Sequence, residues 1–467
     1  MELDKENSIF DGIFGDKRLD NRMQVVYRNI VSTGSSIINR NSSNKTEKAG
    51  AYRMMNNPKL ELSSLIGRLQ ENCASMSRCN HVLCIEDTTE FNYTQLLHRL
   101  DDDDPDIGPM TKNSNMGFFC HPTLVVNADN GMPLGFSDVL LWSRSRDKGT
   151  KHTRQYQKRG IEEKESVRWI QSAERSSEVL PNCIRKTIVA DRESDIYEAL
   201  YRIPLLGCDY ILRSSSNRKT AGDEGVLSET MASLPCMCQY EFSVKGNHSR
   251  KSRKARMELR FGTVTILKPS NSANDCPSQL TVNCIYVKET GTVPKNEQPV
   301  EWRLYTTHPI DTATDALRCI EWYKMRWYIE EVFRLMKSQG LDVESVQLEK
   351  GELLQKMVVV CLAAALRIMS LKISYDNGDE KTDAHIVFTD RQIELLKILL
   401  KMVEGKTAKQ KNPFRKESAA WAAWIVARLG SWDGYKSQGP PGYITFKRGM
   451  QTFGGHFKLF QFVNQDV

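Results

Sequence analysis

Three carboxylates carry the most chemistry in this sequence. Asp87 lies in IEDTTE and Asp191 in VADRESD, each closing a short apolar run that reads as a strand. Glu330 lies in Trp322 to Lys337, a segment with helical periodicity. At about 100° per residue, Trp322, Met325, Ile329, Val332, Phe333 and Met336 share an apolar stripe. Tyr323, Arg326, Glu330 and Lys337 share a second arc of roughly 60° at its edge. By spacing alone, this strip is equally a salt-bridged helix surface. Taken with the two aspartates, Glu330 completes a set of oxygen donors from two strands and one helix. Such a set suits two divalent cations, Mg2+ with Mn2+ as substitute, since hard ions take carboxylates, waters and phosphate. Two ions ~4 Å apart activate a nucleophile and stabilise the leaving oxygen of an in-line displacement. Arg326, as a fork, and Lys337, as a point charge, would then meet phosphate.

The elements that must position these residues alternate in type. His81 to Asp87, Phe118 to Val126, Leu134 to Trp142 and Cys183 to Asp191 read as strands, with a helix over 161–178 before the last. This order predicts a mixed α/β sheet with carboxylates at strand ends. Residues 210–306 read as β-rich, and a helix over 316–337 follows. Helices over 19–30, 46–55 and 63–79 precede the sheet, with a Ser/Asn-rich break from Ser35 to Asn44. A strongly apolar helix over 352–372 leads to a basic linker at 405–417 and an apolar stripe of Met450, Phe453, Phe457 and Phe460. The acidic run Asp101 to Asp104 with Asp106 reads as a solvated loop rather than a metal site. The 12 cysteines include no CxxC pair, so reduced thiols are expected rather than structural zinc.

The 467-residue chain carries a net charge of +7, and the excess is local. Residues 15–60 hold nine bases and three acids, and residues 245–260 hold seven bases and one acid, so each stretch carries +6. Two basic patches on a near-neutral body point to a polyanion partner. The longest uninterrupted apolar run, Met357 to Leu366, is half the ~20 residues of a spanning helix, and MELDKENSIF lacks the order of a signal peptide. No membrane association is expected, and the expected location is cytoplasmic.

At this point the sequence resembles a known family. IEDTT around Asp87, ADRESD around Asp191 and YKMRWYIEEVFRLMK around Glu330 resemble the bacterial cut-and-paste DDE transposases of the insertion-sequence-four group. The last segment carries that group's Tyr-x2-Arg-x3-Glu-x6-Lys pattern intact. The likeness extends from GDKRLDNR and EKAGAYRMMNNP through GFFCH and EKESVRWI to WAAWIVARLG.

The resemblance implies a ribonuclease H-like mixed sheet with a β-rich insertion, flanked by helical N- and C-terminal domains. The corresponding boundaries are 1–62 for a DNA-end-binding domain, 63–370 for the catalytic domain with its insertion at about 210–306, and 371–467 for dimerisation. It implies Asp87, Asp191 and Glu330 as catalytic metal ligands. Tyr323, Arg326 and Lys337 become backbone contacts near a flipped base, Trp302 the aromatic on which that base stacks, and Arg213 a basic contact at the start of the insertion. Lys48 and Arg53 would contact end DNA, and Arg18, Arg22, Arg253 and Lys254 of the basic patches would contribute. Partners would be double-stranded DNA, as transposon-end inverted repeats and target, and a second subunit in a synaptic complex. The location would be bacterial and nucleoid-associated. A structure-selective nuclease on the same fold would cut without joining, and a non-catalytic transposase-derived DNA-binding protein would bind without cutting.

Overall fold

A computed structural model describes residues 9–146, 159–222, 225–244, 251–295 and 297–464. Lys245 and Arg250 of the second basic patch, and the opening residues 1–8, lie outside the described residues. Four helices come first: α1 (Lys17–Thr33), α2 (Ile38–Asn41), α3 (Lys45–Met55) and α4 (Leu62–Met76). The α1 N-terminus is capped by the Asp16 carboxylate, and the helix ends at Gly34, whose φ of 59° suits a residue without Cβ. Asn44 caps α3, while Glu47 reaches back to the Ser43 amide at 2.6 Å. The break from Ser35 to Asn44 holds the single turn α2.

The strands β1 (His81–Glu86), β2 (Thr89–Asn92), β3 (Gly108–Pro109), β4 (Met116–Asn127) and β5 (Pro133–Trp142) follow. Next come α5 (Arg168–Val179), β6 (Arg185–Ala190), α6 (Tyr197–Leu205) and β7 (Asp209–Arg213). β4 pairs antiparallel with β1 and β5, while β6 runs parallel to β1 and β7. The order β5-β4-β1-β6-β7 is consistent with the ribonuclease H-like sheet the sequence predicts. The predicted helix over 161–178 is shorter, because residues 161–167 form two 3-10 turns before α5.

The insertion contributes α7 (Leu227–Ser233), β8 (Cys236–Val244), β9 (Arg253–Leu267), β10 (Gln279–Thr290) and β11 (Glu301–Thr306). It extends the same sheet, since β11 pairs antiparallel with β7 and the order continues through β10 and β9 to β8. The chain then runs through α8 (Ala313–Lys324), α9 (Trp327–Met336), α10 (Gly351–Asn377), α11 (Asp390–Val403), α12 (Ala419–Leu429) and α13 (Tyr443–Val463).

Strand alternation divides the core between the two faces of the sheet. Val82 and Cys84 of β1 pack with Trp169 of α5 and Leu200 of α6. Leu83 and Ile85 pack on the other face with Ile320 of α8, Ile329 of α9 and Val358 of α10. That second core also takes in Met23 of α1, Ile425 of α12 and Phe453 of α13. It therefore runs without interruption from the first helices to the last, and residue 370 falls within α10. Met450 and Phe453 of the C-terminal stripe are buried, while Phe457 and Phe460 are partly covered.

α10 is long and apolar enough to cross a membrane by length and composition, although its longest uninterrupted apolar run is short. However, 89% of its most apolar window is buried inside the protein, as in a core helix. The acidic run explains the start of α10. The Asp104 carboxylate accepts the Gly351 amide at 2.7 Å, and Gln355 donates to Asp106 at 3.3 Å. Acids at a helix N-terminus meet unpaired amides and the positive end of the macrodipole.

Candidate active site

The parallel register of β1 and β6 sets Cys84 against Ile188 and Ile85 against Val189. Two residues further on, the chain delivers Asp87 and Asp191 side by side at the carboxyl ends of both strands. Parity places them on the face of Ile85 and Val189, which is covered by α8 and α9. Their loops are fixed by short hydrogen bonds. Asp87 accepts from the Thr88 amide, and Asp191 accepts from the Glu193 amide, each at 2.8 Å.

The predicted single helix over 316–337 is two helices. α8 ends at Lys324, Met325 and Arg326 form a turn, and α9 begins at Trp327. Both turn residues keep right-handed dihedrals, and the bonds across them shorten to three-residue spacing, so the helical path tightens without reversing. Lys337 is the C-cap of α9: its amide still bonds to the Phe333 carbonyl, and the chain turns away only after it. Its Nζ stands 5.8 Å from the centre of the Phe91 ring, a cation–π contact.

Arg326 joins the carboxylates. One guanidinium nitrogen is 3.0 Å from Asp87 Oδ2 and the other is 3.2 Å from Glu330 Oε1. Burial, opposed by Arg326 and reinforced by the charges of Asp191 and Glu330, pushes the Asp87 carboxyl up to about 7. Burial alone would lower the Arg326 guanidinium, but Tyr323 and the three acids hold it above its ordinary value. Three acids thus share a partly enclosed cleft with Arg326.

The donor set is hard oxygen, and the mutual repulsion felt by Asp87 is the electrostatic condition a divalent cation relieves, so the residues fit such an ion chemically. Among the described residues, no group of three or more acids, histidines or cysteines closes to coordinating distance, and Arg326 stands between Asp87 and Glu330.

The neighbouring aromatic cluster gathers the remaining predicted contacts. The rings of Trp302 and Tyr323 meet edge-on at 5.7 Å, and those of Trp302 and Phe242 at 5.4 Å. Lys324 Nζ lies 5.2 Å from the Phe242 ring centre. Arg213 ends β7, donates to the Glu301 carbonyl at 2.9 Å and faces the Tyr323 phenol. Register explains the grouping. Leu304 pairs with Arg213, so Trp302 on antiparallel β11 overhangs the end of β7 beside the carboxylates. Trp327, beside Arg326, is 56% exposed and was not singled out from the sequence.

The basic patches are less uniform. Arg18 and Arg53 are exposed, Arg22 lies against Gly50, and Lys48 donates to Asn39 at 2.8 Å. Arg253 is held by Glu289 and Glu297, with its side chain only 16% exposed. Lys254 pairs with Glu241 across the β8–β9 hairpin at 2.9 Å. These two bases are neutralised locally, an outcome invisible to charge counting because the acids come from elsewhere in the chain.

Residues 149–367 match the family model described as Transposase DDE domain. The match contains Asp191 and Glu330 together with Trp302, Tyr323 and Arg326, and Asp87 precedes it. It supports a DDE transposase, an enzyme that acts on DNA. Such enzymes use divalent metal ions.

Proposed function

Proceeding from a DDE transposase, we propose that this chain cuts and rejoins DNA at transposon ends in the manner of the insertion-sequence-four group, within it most like the Tn-five transposase. The observation that supports the reading is that Arg326 pairs with Asp87 and Glu330, with the charge of Asp191 close by, at the carboxyl ends of two parallel strands. Those three carboxylates would hold two divalent ions, Mg2+ or Mn2+, which supply water activation and charge neutralisation at the reacting phosphate.

The chain's own residues do the positioning. Arg326, on the turn between two helices, trades its carboxylate partners for a phosphate oxygen, a contact its fork makes bidentately. Arg213 and Tyr323 fix the backbone on the insertion side of the cleft. Trp302 receives an extruded base, since unstacking costs a few kcal/mol and stacking on an aromatic returns roughly 1–3 kcal/mol. An extruded base allows the sharp bend of a hairpin intermediate, formed when the freed 3′-OH attacks the opposite strand. Opening that hairpin and joining to target DNA repeat the same phosphoryl displacement with other oxygens. The helices α1 and α3, with Arg18, Arg22, Lys48 and Arg53, would hold end DNA, two subunits would pair in the synaptic complex, and the reaction would occur in the bacterial cytoplasm at the nucleoid.

Pre-cleaved transposon ends supplied with target DNA test the reading. Joined products are expected from the wild-type chain with Mg2+ and none from Asp191→Asn. Nicking of uncleaved ends without any joining would instead identify a nuclease.

A further inference from the structure

Behind the carboxylates, on the opposite face of the sheet, one arginine reaches both aspartate loops. Arg168 opens α5, and its side chain is 13% exposed. Its Nε donates to Thr88 Oγ1 at 2.9 Å, its Nη1 to the Glu165 carbonyl at 2.9 Å, and its Nη2 to Glu193 Oε2 at 2.7 Å. Thr88 directly follows Asp87 and gives it an amide bond, and Glu193 does the same for Asp191. A single planar fork therefore spans the two loops from which the aspartates project.

Arginine only donates, so Thr88 Oγ1 accepts from Arg168. The same hydroxyl lies 2.9 Å from His121 Nδ1 on its other side. His121 is itself buried against Trp169, with ring centres 4.6 Å apart. The Thr88 hydroxyl is thereby held between two side chains. Arg168 also lies over the Trp169 and Trp142 rings, which restrict the guanidinium plane.

Resting on the reading of Asp87 and Asp191 as a ligand pair, we propose that Arg168 is a positioning residue that sets the separation of the two carboxylates by bridging the loops after β1 and β6. It touches neither carboxylate and acts through Thr88 and Glu193. Partners that orient ligating groups typically change metal affinity by roughly 10–100-fold when removed.

The test is Mn2+ binding to the full-length protein without DNA, followed by electron paramagnetic resonance, with melting temperature measured in parallel. Arg168→Gln is expected to weaken Mn2+ binding by roughly 10–100-fold. Arg168→Lys keeps the charge but cannot span both loops, so it should also bind weakly. Glu193→Gln should weaken binding less, and combining it with Arg168→Gln should add little further loss, because both break the same bridge. Wild-type Mn2+ affinity in Arg168→Gln, or full recovery in Arg168→Lys, overturns the proposal. Should Arg168→Gln fail to fold, wild-type affinity in both Arg168→Lys and Glu193→Gln overturns it equally. Asp191→Asn separates the two levels. Loss of Mn2+ there with retention in Arg168→Gln defeats only the bridge, whereas retention in Asp191→Asn defeats the ligand assignment and the bridge with it.

Discussion

The pair β1 and β6 is polar at both ends, and the two ends are built oppositely. At the amino ends, Thr187 Oγ1 stands between His81 Nε2 at 2.8 Å and His308 Nε2 at 2.9 Å. Trp322 packs against both rings, and Asp209 is taken by Arg185 at 2.6 Å and Thr307 at 2.7 Å. These side chains are completed by one another. At the carboxyl ends, Arg326 pairs with Asp87 and Glu330, and the charges of Asp191 and Glu330 bear on Asp87. Burial, with the charge of Arg185 beside them, pulls both histidines down to about 4, while burial and like charge push Asp87 up to about 7. Low dielectric drives each group toward its neutral form. The difference is that the polar groups of one end complete one another, whereas at the other Asp87 stays under the repulsion of two further acids.

The largest effect should come from breaking the acidic end. Asp191→Asn is expected to reduce strand nicking on the order of a thousandfold or more, equivalent to several kcal/mol of transition-state stabilisation, with end-DNA binding retained. A gel assay of nicking beside a mobility-shift assay measures both, and nicking close to wild type would remove Asp191 from the reaction. Trp302→Ala should slow hairpin formation and opening by roughly 5- to 150-fold, the kinetic equivalent of one lost stack, and spare the first nick. Equal loss at both steps would take Trp302 out of base capture.

Protons sharpen the contrast. Asp87 must lose its proton to bind a cation, so Mn2+ affinity without DNA should rise about tenfold per pH unit up to about 7 and level off above. In Arg326→Gln, the levelling point should move to higher pH, because the opposing positive charge is gone. A profile flat between pH 5.5 and 8 contradicts this.

The smallest effect belongs to the satisfied end. The unfolded chain binds protons on its histidines below the ordinary value of 6.5, but the folded chain does so only near 4. Stability from this end is therefore complete above about 6.5 and declines as pH falls toward 4. Asp87 acts with the reverse sign over the same range, favouring the fold at acid pH. Thr187→Val should cost about 1–3 kcal/mol, read as a lower melting temperature, while leaving nicking untouched.

Much of this arrangement was legible in the residue pattern. Asp87 and Asp191 end apolar runs, and strand polarity alone brings two such ends together. The stripe containing Arg326 and Glu330 was visible because helical periodicity survives one tightened turn. The turn itself was not, since Met325 and Arg326 include neither glycine nor proline and keep helical dihedrals. The end of α9 had a local mark in Gly340, where a Cβ would meet the Leu335 carbonyl. β2 and β3 are too short for a periodic signal. The neutralisation of Arg253 depends on Glu289 and Glu297, 36 and 44 residues away, and the role of Asp104 depends on Gly351, 247 residues away. Pairings at such separations are set by tertiary packing, which no window of sequence contains.

α10 has a mechanical consequence. The long helix is the shared axle of the molecule, with the sheet on one flank and the first and last helices on others. A load applied to α1 or α13 reaches the face that carries Asp87 and Asp191 through the packed residues of one helix rather than through a linker. Cutting the chain at residue 370 would end it inside that helix and strip Ile373 and Ser374 of their surroundings. The regions that suggest separate modules on paper should therefore melt in a single transition, as parts of one machine.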